Sequence, residues 1–104
     1  MNILLGVLKE ESDRLERNIS SYKQMLSSLP RGSIFIRKMG NSSFAYRKYK
    51  EKGRVFSEYL GNVMQENVKR EIERSNDYKR IKNNLLVAKN ELAKLRKVIH
   101  FYGK

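Results

Sequence analysis

The amino-acid sequence predicts an α+β fold: a long antiparallel helical hairpin, in effect a coiled coil, with a three-stranded antiparallel β-meander inserted at its closed end. Three observations predict it. Apolar residues at alternating three- and four-residue spacing form a stripe at each end of the chain. Between the stripes lie three short alternating runs separated by turn residues. With 104 residues the chain has room for one core, so residues 1–104 are predicted to be a single domain.

The first stripe is Leu5, Leu8, Ser12, Leu15, Ile19, Tyr22, Leu26 and Leu29, which predicts a helix over 2–29. Pro30 ends it, because proline lacks the N–H and biases the preceding residue away from helix. The second stripe is Tyr78, Ile81, Leu85, Ala88, Leu92, Leu95, Ile99 and Tyr102. Each stripe has eight positions and spans about 36 Å at the helical rise, so the two are expected to pair. Asn62 and Gln65 have capping-box spacing, which starts the second helix and gives it the range 63–102. Its early apolar residues, Met64, Val68 and Ile72, step by four and are expected to face the meander. Ser75-Asn76-Asp77 favours turns over helix interiors, so a kink is expected at 75–77.

The meander is predicted over 33–60. Gly40-Asn41 is a two-residue hairpin signal, and Lys52-Gly53 supplies a second turn. Pairing outward from the two turns sets Phe35 opposite Tyr46 and Tyr46 opposite Tyr59. It also sets Ile36 opposite Ala45, Ala45 opposite Leu60, Arg47 opposite Glu58 and Tyr49 opposite Phe56. Alternation then sorts two faces. Ile34, Ile36, Ala45, Tyr49, Phe56 and Leu60, with the Arg47–Glu58 pair, form the face expected to pack on residues 63–75. Phe35, Phe44, Tyr46, Val55 and Tyr59, with Arg37, Lys48 and Lys50, form an aromatic and basic face expected to stay open to water.

Charge is the strongest bulk signal. Twenty-three Lys and Arg against eleven Asp and Glu give a net charge of +12. Residues 1–30 are neutral, and the excess lies in the middle segment and the C-terminal helix. A surplus of this size raises encounter rates with polyanions. Exposed rings stack on unpaired bases while Lys and Arg neutralise phosphates. The candidate nucleic-acid-binding residues are therefore Phe35, Arg37, Lys38, Phe44, Tyr46, Lys48, Lys50, Lys52, Arg54 and Tyr59 in the meander. On the basic helix, where Glu91 is the one acid between 79 and 97, they are Lys79, Arg80, Lys82 and Lys89.

The stretch GSIFIRKMGNSSFAYRKYKEKGRVFSEYLG, residues 32–61, resembles the β-meander near the N-terminus of some insertion-sequence transposases. It is also similar to the basic three-stranded arm-binding domains of tyrosine recombinases. The shared features are Gly32-Ser33, the aromatic second strand with Phe44, Tyr46 and Tyr49, Lys52-Gly53, and Tyr59-Leu60-Gly61. The resemblance covers under a third of the chain. It implies a mobile-element or phage context and contact with nucleic acid, and no enzymatic activity.

Signals for chemistry are sparse. The chain has no Cys, and its single His, His100, stands beside a seam residue near the chain end. The acidic residues have no metal-ligand spacing with it. No glycine-rich phosphate loop precedes a helix. A non-enzymatic protein without metal or cofactor is expected. Met1–Leu8 lacks the basic n-region of a signal peptide, and no apolar run approaches the ~20 residues of a membrane span. A cytoplasmic location is expected from this and the absence of Cys. The leading expectation is a nucleic-acid-binding protein, DNA or RNA. The alternatives are a protein-interaction module, such as a mobile-element-encoded inhibitor of a nucleic-acid enzyme, and a structural coiled coil. An exposed coiled-coil flank also provides for a homodimer.

Overall fold

The computed structural model describes residues 3–103. Two helices flank a three-stranded antiparallel sheet in the order α1 (Ile3–Ser27), β1 (Ser33–Met39), β2 (Ser42–Glu51), β3 (Arg54–Asn62) and α2 (Glu66–Tyr102). This is the α+β class that the stripes and the alternating runs predict. The chain forms two compact units: the meander unit runs from Leu29 to Lys79, and the helical unit joins α1 to the part of α2 from Arg80 onward.

In the helical unit the two stripes meet. Leu15, Ile19, Ala88 and Leu92 form a buried cluster, with Tyr22, Leu85 and Leu95 packed against it. Each of the seven lies on a predicted seam position, as heptad spacing requires of a helix pair that hides one side only. The pairing is antiparallel: Glu16 receives Arg96 at 2.7 Å, and Tyr22, further along α1, shares a groove with Asn84, further back on α2.

In the meander unit the strand order is β1-β2-β3, with β2 central. Both turns have the backbone that a right-twisted hairpin demands. Gly40 has φ +62° ahead of Asn41, and Lys52 and Gly53 have φ +50° and +80°. The register pairs Phe35 with Tyr46 and Ile36 with Ala45 on one side. On the other it pairs Tyr46 with Tyr59, Arg47 with Glu58 and Tyr49 with Phe56.

One predicted pair is corrected. Ala45 stands opposite Gly61, not Leu60, because β3 shifts register between these rows. The extra residue is a β-bulge, which bends its strand and re-aims the chain that follows. Gly61 has φ +133°, and a Cβ there would lie 3.1 Å from Val68 Cγ2 and collide with the Gln65 side chain. The bulge is thus a glycine position because the start of α2 presses on the backbone.

The second helix begins later than the capping box predicts. β3 pairing continues to Asn62, and Val63 N–H still donates to Ser43 O at 3.0 Å. The ladder therefore holds the backbone extended through the residues the cap assigns to helix. Asn62 Oδ1 accepts from Met64 N–H at 2.9 Å and Asn62 O from Gln65 N–H at 3.0 Å, closing a turn before Glu66. The helix runs without interruption through Ser75, Asn76 and Asp77.

Candidate nucleic-acid interface

The meander presents two unlike faces. Phe35, Tyr46 and Tyr59 form one row across all three strands. Phe35 and Tyr46 stack at 5.2 Å between centroids, and Tyr46 and Tyr59 meet at 5.4 Å with their planes tilted. These separations follow the strand spacing of about 4.8 Å, so a ring on each neighbouring strand meets the next edge to edge or face to face. Phe44 joins the row beside Tyr59 at 6.2 Å, in the register shift that the bulge introduces. The rings remain open: Phe35 keeps 39% and Tyr59 58% of its surface, and Tyr46 and Phe44 are half-buried.

Strand parity places Arg37, Lys48 and Lys50 on this same face, with Ser33, Met39, Val55 and Ser57. It holds no Asp or Glu. Both acids of the sheet, Glu51 and Glu58, pair with Arg54 and Arg47 on the reverse. The cations beside the rings therefore have no neighbouring carboxylate on their face to satisfy them.

The reverse face is tied to α2. Ala45 is fully buried. Arg47, with 16% of its side chain exposed, ion-pairs with Glu71 on α2 and lies 3.8 Å from Glu58. Glu71 also receives Arg74 at 3.3 Å. This network ties α2 at Glu71 to β2. Coverage is partial, since Ile36 and Phe56, predicted to pack on the helix, stand exposed on the same side.

The structure thus brings together seven of the ten predicted meander residues: Phe35, Arg37, Phe44, Tyr46, Lys48, Lys50 and Tyr59. Lys38 and Arg54 belong to the reverse face by strand parity, and Lys52 sits at the β2–β3 turn. Lys79 ends the meander unit on α2, whereas Arg80, Lys82 and Lys89 belong to the helical unit.

The helical unit has its own electrostatic pattern. In heptad terms, the residues one place after the d seam positions flank one side of the pair. On α1 these are Lys9, Glu16 and Lys23; on α2 they are Lys82, Lys89 and Arg96. Lys23 escapes a segment-by-segment reading because α1 as a whole is neutral. Its heptad position is the signal that finds it. The opposite flank is a shallow groove lined by Arg14, Asn18, Asn84, Val87 and Glu91, with seam residues at its base. On that side Arg14 Nε donates to Glu11 at 2.9 Å. The bond holds the Glu11 carboxyl below its ordinary value and raises the Arg14 guanidinium above its own.

Among the described residues no group of three His, Cys, Asp or Glu is placed to hold a metal ion, and no helix is long and apolar enough to cross a membrane.

The family model for a domain of unknown function, DUF6788, matches residues 6–70, more than half of the chain. The protein belongs to this family. The match takes in most of α1, the whole meander and the first residues of α2, Val68 among them. Neither the curated proteins nor the solved structures contain a match.

Proposed function

We propose that this protein binds nucleic acid without catalysing a reaction, holding unpaired bases on the aromatic face of its meander and phosphates on Arg37, Lys48 and Lys50. The observation that carries the proposal is the open row of contacting rings on a face free of acids. Every base has a π-face, so a ring platform accepts many sequences, and base–aromatic stacking contributes about 1–3 kcal/mol per base. The basic surface of α2 adds phosphate contacts, which supply affinity and orientation. A cytoplasmic setting and a mobile-element origin belong to this reading.

The test is titration of a fluorescent single-stranded oligonucleotide at several salt concentrations. Affinity should fall linearly with salt on a log–log plot. The variant Phe35→Ala with Tyr59→Ala should weaken binding by about tenfold or more, given the stacking contribution per base. These two rings are the open ends of the row, and circular dichroism should show the double variant still folded. Undiminished affinity in the double variant, or no binding by the natural protein, sinks the proposal.

A protein partner is the second reading. The exposed Ile36 and Phe56 favour it, since apolar groups left open beside a packed helix suit a protein surface better than a phosphate chain. Binding that ignores salt and survives loss of the rings is the result that puts this reading first.

A further inference from the structure

The flank of the helical hairpin that carries Lys23 and Lys89 is set against itself. Glu16 and Arg96 hold equivalent heptad positions on the two helices and pair across them. Moving one heptad along each helix, seven residues up α1 and seven down α2, sets Lys23 opposite Lys89. Where the first register position has an anion facing a cation, the next has two cations. Neither lysine has an ion pair among the described residues. Lys23 has no acid three or four residues away on α1, its neighbours at those steps being Ile19, Ser20, Leu26 and Ser27. A negative side chain at either site would have made a favourable pair, as Glu16 does one heptad away.

We infer that this flank is a second nucleic-acid surface, built by both helices and directed at the phosphate backbone of a duplex. It rests on the nucleic-acid reading of the protein but not on the ring face. Four arguments favour a backbone over bases. The flank sets five cations, Lys9, Lys23, Lys82, Lys89 and Arg96, against the one acid Glu16 on a rod-like pair of helices. It contains no aromatic residue. Successive cations on α2 recur every seven residues, about 10.5 Å along the axis. A linear polyanion supplies the missing negative charge to both helices at once, so it binds and clamps them together. Binding is thereby coupled to hairpin stability: a ligand that attaches only to the paired helices stabilises them by mass action.

A charge-swap set tests this, with Lys23→Glu, Lys89→Glu and the two together, each checked for unchanged helicity by circular dichroism. Two readouts should follow different patterns. At low salt either single swap turns the facing pair attractive and should raise the melting temperature by about 2–4 °C, while the double swap restores repulsion and returns it near the natural value. Binding to a short random-sequence DNA duplex should instead fall steadily from natural to single to double. Its log–log salt slope should flatten by about 0.9 for each lysine taken off the phosphates. The stabilisation of the natural protein by duplex should exceed that of either single swap.

Melting temperatures that change additively would show that the lysines do not face each other. Duplex binding with an unchanged salt slope in the double swap would show that the flank does not touch phosphate. In that case single-strand binding that persists leaves the ring-face proposal intact, whereas a natural protein that binds neither duplex nor single strand overturns both. Equal loss of binding to phosphatidylserine vesicles, with duplex binding untouched, would assign the flank to a lipid surface and overturn the inference.

Discussion

Replacing Arg47 by alanine tests how the meander holds its helix. Arg47 joins β2, β3 and α2, through Glu58 and Glu71. A hydrogen bond between ionised groups contributes about 1.5–3 kcal/mol net. Here the guanidinium is 16% and Glu71 27% exposed, so solvent screening is limited. The Glu58 pair adds little, at 3.8 Å to a carboxylate that is 56% exposed. Glu71 is not orphaned by the change, because Arg74 stays within 3.3 Å. Weighing these, Arg47→Ala should cost about 2 kcal/mol, close to the value of the single charged bond. For a chain of this size that is a fall of roughly 10 °C in melting temperature. Urea unfolding should show a lower midpoint with an unchanged slope. A cycle with Glu71→Ala should give a coupling of at least about 1 kcal/mol, the signature of two groups that interact directly. A cost under about 0.5 kcal/mol, or no coupling, would refute the bridge, since surface substitutions alone stay in that range. Because Arg47 points away from the rings, single-strand affinity should survive the change in conditions where the variant is folded.

Two further outcomes follow from packing. Ser75 is 7% exposed and its hydroxyl has no partner among the described residues, so Ser75→Ala should raise stability by about 1 kcal/mol, read by urea midpoint, by removing an unsatisfied polar group. Gly61→Ala should lower stability by roughly 2 kcal/mol in the same assay, combining a left-handed backbone with the close approach of Val68; a neutral result would mean the bulge relaxes at no cost.

What the sequence makes legible is what is local or periodic. Gly40-Asn41 and Lys52-Gly53 carry their own turn conformations, so both hairpins can be read directly. The heptad seam names every residue of the described cluster in the helical unit, because 3.5-residue spacing leaves a helix one way to hide its apolar side. Alternation likewise assigns the ring face. The bulge at Leu60–Gly61 is not legible, since it answers to Val68 arriving from the next element. Nor is the partnership of Arg47 with Glu71, 24 residues away; the nearer Glu58 is the partner that strand pairing predicts. Ladder bonds that outlast the predicted strand delay α2 past its capping box. Selecting Lys38 and Arg54 by charge alone ignores the parity that sends them to the reverse face.

With β2 in the middle, β1 and β3 each leave one margin of backbone groups without a strand alongside. Such margins are templates for self-assembly; that of β1 is guarded by like charge, Arg37 and Lys38, whereas β3 carries Arg54 together with Glu58. Two molecules aligning β1 against β1 must crowd those cations together. Concentrated salt, the usual means of stripping nucleic acid from a basic protein, shortens the reach of that repulsion to about 3 Å at molar strength. The handling that cleans the protein therefore also lifts its defence against fibre-like pairing.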